Sequence, residues 1–103
     1  MYLPKIYEKF SSKFPEVFKE FQQLGKTCRD SGPLEKKCQD LANLGIAIGA
    51  SSRGAVMSQT RKALESGASK EEIAQVVLLS LTTIGFPKMI AAMGWVDDVL
   101  DGS

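Results

Sequence analysis

The side chains able to do chemistry in this sequence are few, and bases are scarce among them. None of its 103 residues is histidine, so an imidazole acid or base and any His-ligated metal site are excluded. The two cysteines, Cys28 and Cys38, stand ten residues apart. They read either as structural thiols or as a redox pair across the turn "DSGP" at residues 30 to 33. The second reading sets Cys38 on an inward stripe with Leu41 and Gly45, although buried cysteine in apolar surroundings is inert. A polar turn, "SSRGA" at 51 to 55, separates two apolar segments. Ser51 and Ser52 fit a helix N-terminus, where serine accepts from an orphan backbone N–H. A serine nucleophile needs a neighbouring base, and Arg53 cannot serve as one. Ser51, Ser52, Arg53 and Gly54 could instead hold a carboxylate or phosphate. Gln59 falls on the same helical face as Ser52 and reads either as a pocket amide or as a surface glutamine. Asp40 is either a buried acid or a solvated one paired with Lys36 or Lys37.

These groups sit on elements whose apolar residues recur every three or four positions, which predicts an all-α chain. A first long helix starts near Pro15, after Ser11 and Ser12, with Phe14, Val17, Phe18, Phe21 and Leu24 as its stripe and Gly25 weakening it. Pro33 opens a second helix to about Ala50, with Leu34, Cys38, Leu41, Gly45 and Ile48 on one face. Its second half, "LANLGIAIGA", is apolar nearly all round and has to be surrounded. A third helix runs from near Ser52 to Gly67, the left-handed cap residue. Ser69 and Glu72 form a capping box opening a fourth helix through Ile84, with Ile73, Val76, Val77 and Leu81 inward. Gly85 stops it, and Pro87 starts a fifth whose stripe is Met89, Ile90, Met93, Val96 and Leu100. Asp97, Asp98 and Asp101 take its wet side, and Trp95 reads as core or subunit contact.

Residues 1–103, with 44% hydrophobic and 24% charged side chains, read as one domain, a bundle of about five to six helices. The fourth helix is apolar on more than one side, more than a monomer this short can cover, so a homo-oligomer is expected. A formal charge of +1 provides no phosphate-seeking field, which argues against nucleic acid. The uncharged run from Ile73 to Pro87 is shorter than the roughly 20 residues that cross a bilayer, so no membrane partner is expected. "MYLPKIYEKF" has no secretory apolar core, and the cytoplasm is the expected compartment.

The segment "DLANLGIAIGASSRGAVMSQTRKALESGASKEEIAQVVLLSLTTIGFPKMIAAM" resembles the core of the carboxymuconolactone decarboxylase and alkylhydroperoxidase D-like family. The shared features, in order, are a small-residue apolar helix, a short turn, a helix ending in "RKALESGAS", an "EEI" step into another apolar helix, and a "GFP" break. The resemblance implies an all-helical, alkylhydroperoxidase D-like fold assembling as trimers or hexamers. In peroxidase members it implies a Cys-x-x-Cys pair, a histidine four residues later, and an acid on the preceding helix.

Aligned on "RKALESGA", the first cysteine falls on Ser52, the second on Ala55 and the histidine on Gln59. The acid falls on Gln39 or Asp40. Serine stays protonated and cannot cycle through a sulfenic acid, and Ala55 removes the resolving thiol. Decarboxylase members keep the histidine, but an amide at Gln59 cannot carry a proton near neutral pH. The expectation is a degenerate site: a small-molecule or anion-binding protein using Ser51, Ser52, Arg53 and Gln59, or a non-catalytic oligomer, with no cofactor or metal. The alternative is an oxidoreductase of the alkylhydroperoxidase type using a relocated thiol such as Cys38, or a divergent decarboxylase retaining Asp40.

Overall fold

The computed structural model describes residues 5–102; Pro4 and the rest of the first four residues lie outside them. The described residues form helices α1 (Lys5–Lys13), α2 (Pro15–Asp30), α3 (Lys36–Gly49), α4 (Arg53–Glu65), α5 (Lys70–Leu79), α6 (Leu81–Ile84) and α7 (Phe86–Gly102), with no strand among them. Contacts gather into two units, Met1–Pro33 and Leu34–Ser103.

The first unit is a pair of helices joined at Phe14. Pro15 stands at the start of α2, where its missing N–H costs nothing. Ser11 and Ser12, expected outside a helix, belong to α1, and the Ser11 hydroxyl donates to the Glu8 carbonyl at 2.9 Å. Aromatic edges hold the pair: Tyr7 meets Phe18 in a T-shaped contact at 5.4 Å, and Phe10 lies 6.2 Å from Phe18. No residue of α1 or α2 is buried.

The second unit holds the core. Leu44, Ala47 and Ile48 of α3, Val56 and Ala63 of α4, Ile73 and Val77 of α5, and Met89, Ala92 and Val96 of α7 close on one another. Their spacing of three and four places them on one face of each helix. Trp95 packs half-buried against this cluster, while Asp97, Asp98 and Asp101 are exposed.

Three boundaries and two faces differ from the sequence expectation. α3 begins at Lys36, not Pro33: Leu34 is exposed, so extending the helix would bury nothing, and the Gln39 amide closes the entry by donating to the Leu34 carbonyl at 2.7 Å. The helix expected to run through Ile84 breaks at Ser80. There the backbone N–H bonds Val77 three residues back at 3.1 Å and the hydroxyl competes for the same carbonyl at 2.6 Å. α7 begins at Phe86, one residue before Pro87. On α3 the buried stripe is Asp40, Leu44, Ala47 and Ile48, while Cys38 is exposed. On α7, Ala92 and Val99 are buried where Ile90, expected inward, is exposed.

Candidate functional site

α3 and α4 form a helical hairpin whose corner is the polar turn singled out above. The N–H of Ser51 donates to the Ile48 carbonyl at 2.9 Å and that of Ser52 to the Ala47 carbonyl at 3.3 Å. This paired pattern is a Schellman cap on α3, with Ser51 as its left-handed residue at φ 54°. Gly67 plays the same part after α4 at φ 93°: its N–H bonds Leu64 at 3.1 Å, and Ala68 bonds Ala63 at 3.0 Å. Ser51 therefore shapes the corner with its backbone.

Ser52 follows as the N-cap of α4. Its backbone is extended and its carbonyl accepts from Val56 at 2.8 Å, but its hydroxyl makes no capping bond. The contrast with α5 is plain: there the Ser69 hydroxyl accepts from the Glu72 N–H at 3.0 Å and Glu72 accepts from the Ser69 N–H at 2.9 Å. The first turn of α4 thus keeps its N–H groups open beside the exposed Ser52, Arg53 and Gly54.

Along α4 from this end, Ala55 is half-buried and Val56 fully buried. Gln59 lies seven residues after Ser52, roughly 10 Å along the axis on the same face. Its Oε1 is buried and accepts no hydrogen bond from any described residue. The neighbouring Thr60, also buried, satisfies itself by donating to the Val56 carbonyl at 2.7 Å.

Of the two readings open for Asp40, the structure takes the buried one: it is fully buried. The Ser66 hydroxyl, just past the end of α4, donates to Asp40 Oδ2. Lys37, one of its expected partners, pairs with Glu72 at 3.2 Å instead. Backbone donation from Ser69, and then the Lys37 ammonium, hold the Glu72 carboxyl below its ordinary range. Sequence reasoning missed Ser66, for no local pattern links residues 26 apart.

Cys38 is exposed in the first turn of α3, and its thiol faces Glu35 Oε1 at 3.7 Å. About 16 Å of helix separates it from the Ser51 and Ser52 corner, so the structure does not bring Cys38 to the Ser52, Arg53 and Gln59 group. Cys28, on α2, is an exposed free thiol as well.

A second feature of this unit is an apolar groove of about 400 Å³ between α3 and the α5–α6 pair. Leu41, Gly45, Gly49, Val76, Leu79 and Ile84 line it.

With this geometry in place, comparison with known proteins is decisive for family. The carboxymuconolactone decarboxylase family model matches residues 15–98. The chain belongs to that family. It is similar to two uncharacterized proteins of Methanocaldococcus jannaschii. MJ0742 is 33% identical over 82 residues, covering 79% of this chain and 79% of that protein. MJ1511 is 32% identical over 79 residues, covering 77% and 74% respectively. The all-α fold read from the sequence agrees with this membership. No helix among the described residues is long and apolar enough to cross a membrane.

Proposed function

We propose that this protein uses the family scaffold to bind a small carboxylate or similar polar molecule along α4, without the family's redox or decarboxylation chemistry. The observation that carries this reading is the Gln59 Oε1, buried with no partner among the described residues. A buried acceptor left unmade costs about 1–3 kcal/mol, and a ligand hydroxyl or amide placed there would recover it. Ser52, with its uncommitted hydroxyl, and Arg53 at the open N-terminus of the same helix supply the donors and positive end that a carboxylate needs. On the alignment that the family resemblance implies, Ser52, Ala55 and Gln59 stand where peroxidase members carry thiols and imidazole. None of these yields a nucleophile or moves a proton at neutral pH, so binding is the chemistry that remains. Asp40 is engaged with Ser66, which suits a structural carboxylate better than a proton carrier.

Thermal unfolding with lactate, malate, 4-hydroxybenzoate and inorganic phosphate in turn, each carrying a hydroxyl donor beside its negative charge, tests the proposal. At ten times its dissociation constant a ligand stabilises by about 1.4 kcal/mol, a rise of several degrees in Tm for a chain of this size. We expect such a rise with at least one probe, reduced by Arg53→Ala and removed by Gln59→Leu. A flat response to every probe, or a shift indifferent to both substitutions, overturns the reading.

A further inference from the structure

We propose that the groove between α3 and the α5–α6 pair binds a small neutral alcohol or phenol, its ring or chain on the apolar walls and its hydroxyl between Ser80 and Thr83. The walls fix the polarity of what they accept. Leu41, Val76, Leu79 and Ile84 line the groove with Gly45 and Gly49, and no ionisable side chain is among its lining residues. A charged ligand seated there gives up water with no counter-charge in return, a cost that excludes carboxylates and amines alike. An uncharged, largely apolar body meets no such cost, and its burial is favourable.

The polar group of the ligand follows from the two hydroxyls in the lining. Ser80 and Thr83 both border the groove. They are three residues apart, and the backbone at Ser80 stays in the right-handed helical region, so the pair shares one face. The Ser80 hydroxyl already donates to the Val77 carbonyl at 2.6 Å, so toward the groove its oxygen can only accept. Thr83 is exposed, and its hydroxyl proton rotates to suit a partner. A ligand hydroxyl answers both, giving its proton to Ser80 and accepting one from Thr83. An ether or a ketone uses Thr83 alone, and a hydrocarbon uses neither.

Size favours a small molecule as the occupant. A cavity of roughly 150 Å³ holds one benzene ring, so the groove, at about 400 Å³, takes two fused rings. The two glycines make this room. A Cβ built on Gly49 meets nothing within 4 Å, and one on Gly45 meets only Val76 Cγ1, at 3.8 Å. Leu41 to Gly49 spans only ~12 Å along α3, whereas a stable protein interface takes about 800 Å² from each partner. A groove this short falls well below that area.

Equilibrium dialysis of the full chain at neutral pH against 1-naphthol, 1-methoxynaphthalene and 1-naphthoate tests the site. Naphthol is expected to bind, and its methyl ether to bind roughly 2- to 10-fold more weakly for want of the bond to Ser80. Thr83→Val keeps the shape of the side chain and is expected to weaken naphthol by a similar factor. Gly49→Leu fills the groove and is expected to abolish naphthol binding, with the helical content by far-UV circular dichroism kept; should that content fall, Thr83→Val decides. Naphthoate is expected to show no binding that Gly49→Leu removes, since a carboxylate held at Arg53 is untouched by that substitution. No binding of naphthol to the parent overturns the proposal. Equal affinity for naphthol and its ether, a Thr83→Val variant that binds naphthol as the parent does, or naphthoate binding lost with Gly49→Leu overturns it as well. Neither variant alters Arg53 or Gln59, so the carboxylate-induced shift is read separately.

Discussion

Ser66 donates its hydroxyl to Asp40 and so ties the end of α4 to the first turns of α3. The carboxylate is fully buried, so this bond holds a group that cannot turn to water. Removing the donor takes a hydrogen bond from a buried oxygen, which costs about 1–3 kcal/mol. Ser66→Ala is expected to lower urea-unfolding stability by that amount. A double-mutant cycle with Asp40→Asn is expected to show a coupling of roughly 0.5–3 kcal/mol, as for residues in direct contact. Additivity within error would mean that the pair does not clamp the hairpin.

The two left-handed caps respond oppositely to exchange of residue type. Ser51 occupies a conformation that costs an L-residue roughly 1–2 kcal/mol and glycine nothing. Ser51→Gly is expected to stabilise by about 1 kcal/mol and Gly67→Ala to destabilise by a similar amount. A Cβ at Gly67 meets no atom within 4 Å, so the second effect is backbone strain alone. Chemical denaturation of both variants reads the two signs.

Gln59 gives stability and binding contrary demands. Replacing its orphan carbonyl with an apolar side chain of similar size removes a desolvation cost of about 1–3 kcal/mol. Gln59→Leu is expected to melt higher than the parent without ligand while losing the carboxylate response. A variant that melts lower would show that the amide is satisfied in solution.

The capping box on α5 makes a predictable contribution to acid sensitivity. Hydrogen bonds from Ser69 and Lys37 lower the Glu72 pKa in the folded chain. Its stabilising effect is present above the unfolded value of about 4.3 and fades as pH falls through the lower, folded value. Glu72→Gln is thus expected to be less stable than the parent at neutral pH, with the gap closing below about pH 4. Urea midpoints at pH 7, 5 and 3.5 check it. Ser69→Ala, which removes the cap at every pH, is expected to cost about 1 kcal/mol throughout.

Exposure of Cys38 separates accessibility from catalysis. A chromogenic disulfide is expected to modify Cys38 in the native protein, without unfolding. Hydroperoxide consumption with a dithiol reductant is nevertheless expected to stay at the uncatalysed rate, with or without Cys38→Ser. Turnover that disappears with that substitution would establish the thiol as a redox centre.

Much of the helical plan is legible in the sequence because it rests on local chemistry. Ser69 with Glu72, Gly67, Gly85 and Pro15 each mark a helix end through bonds or dihedrals made within a few residues. The face of α3 was not legible. A helix apolar nearly all round has no periodic contrast, so Cys38 and Leu41 compete with Asp40 and Leu44 for the inward side, and only the partner helices decide. The break at Ser80 was hidden for a related reason: a serine inside an apolar run looks like a tolerated interruption until its hydroxyl claims the Val77 carbonyl. At the candidate site, Ser52 and Gln59 on one face follow from the helical period. Burial of the Gln59 carbonyl is a matter of packing that the helical period does not encode, and the Ser66 bond to Asp40 joins residues 26 apart in the chain.

The coreless hairpin α1–α2 also bears on how the molecule is broken down. With no buried side chain to shelter, its two helices part at little free-energy cost, and its exposed aromatic stripe is a natural target for proteases.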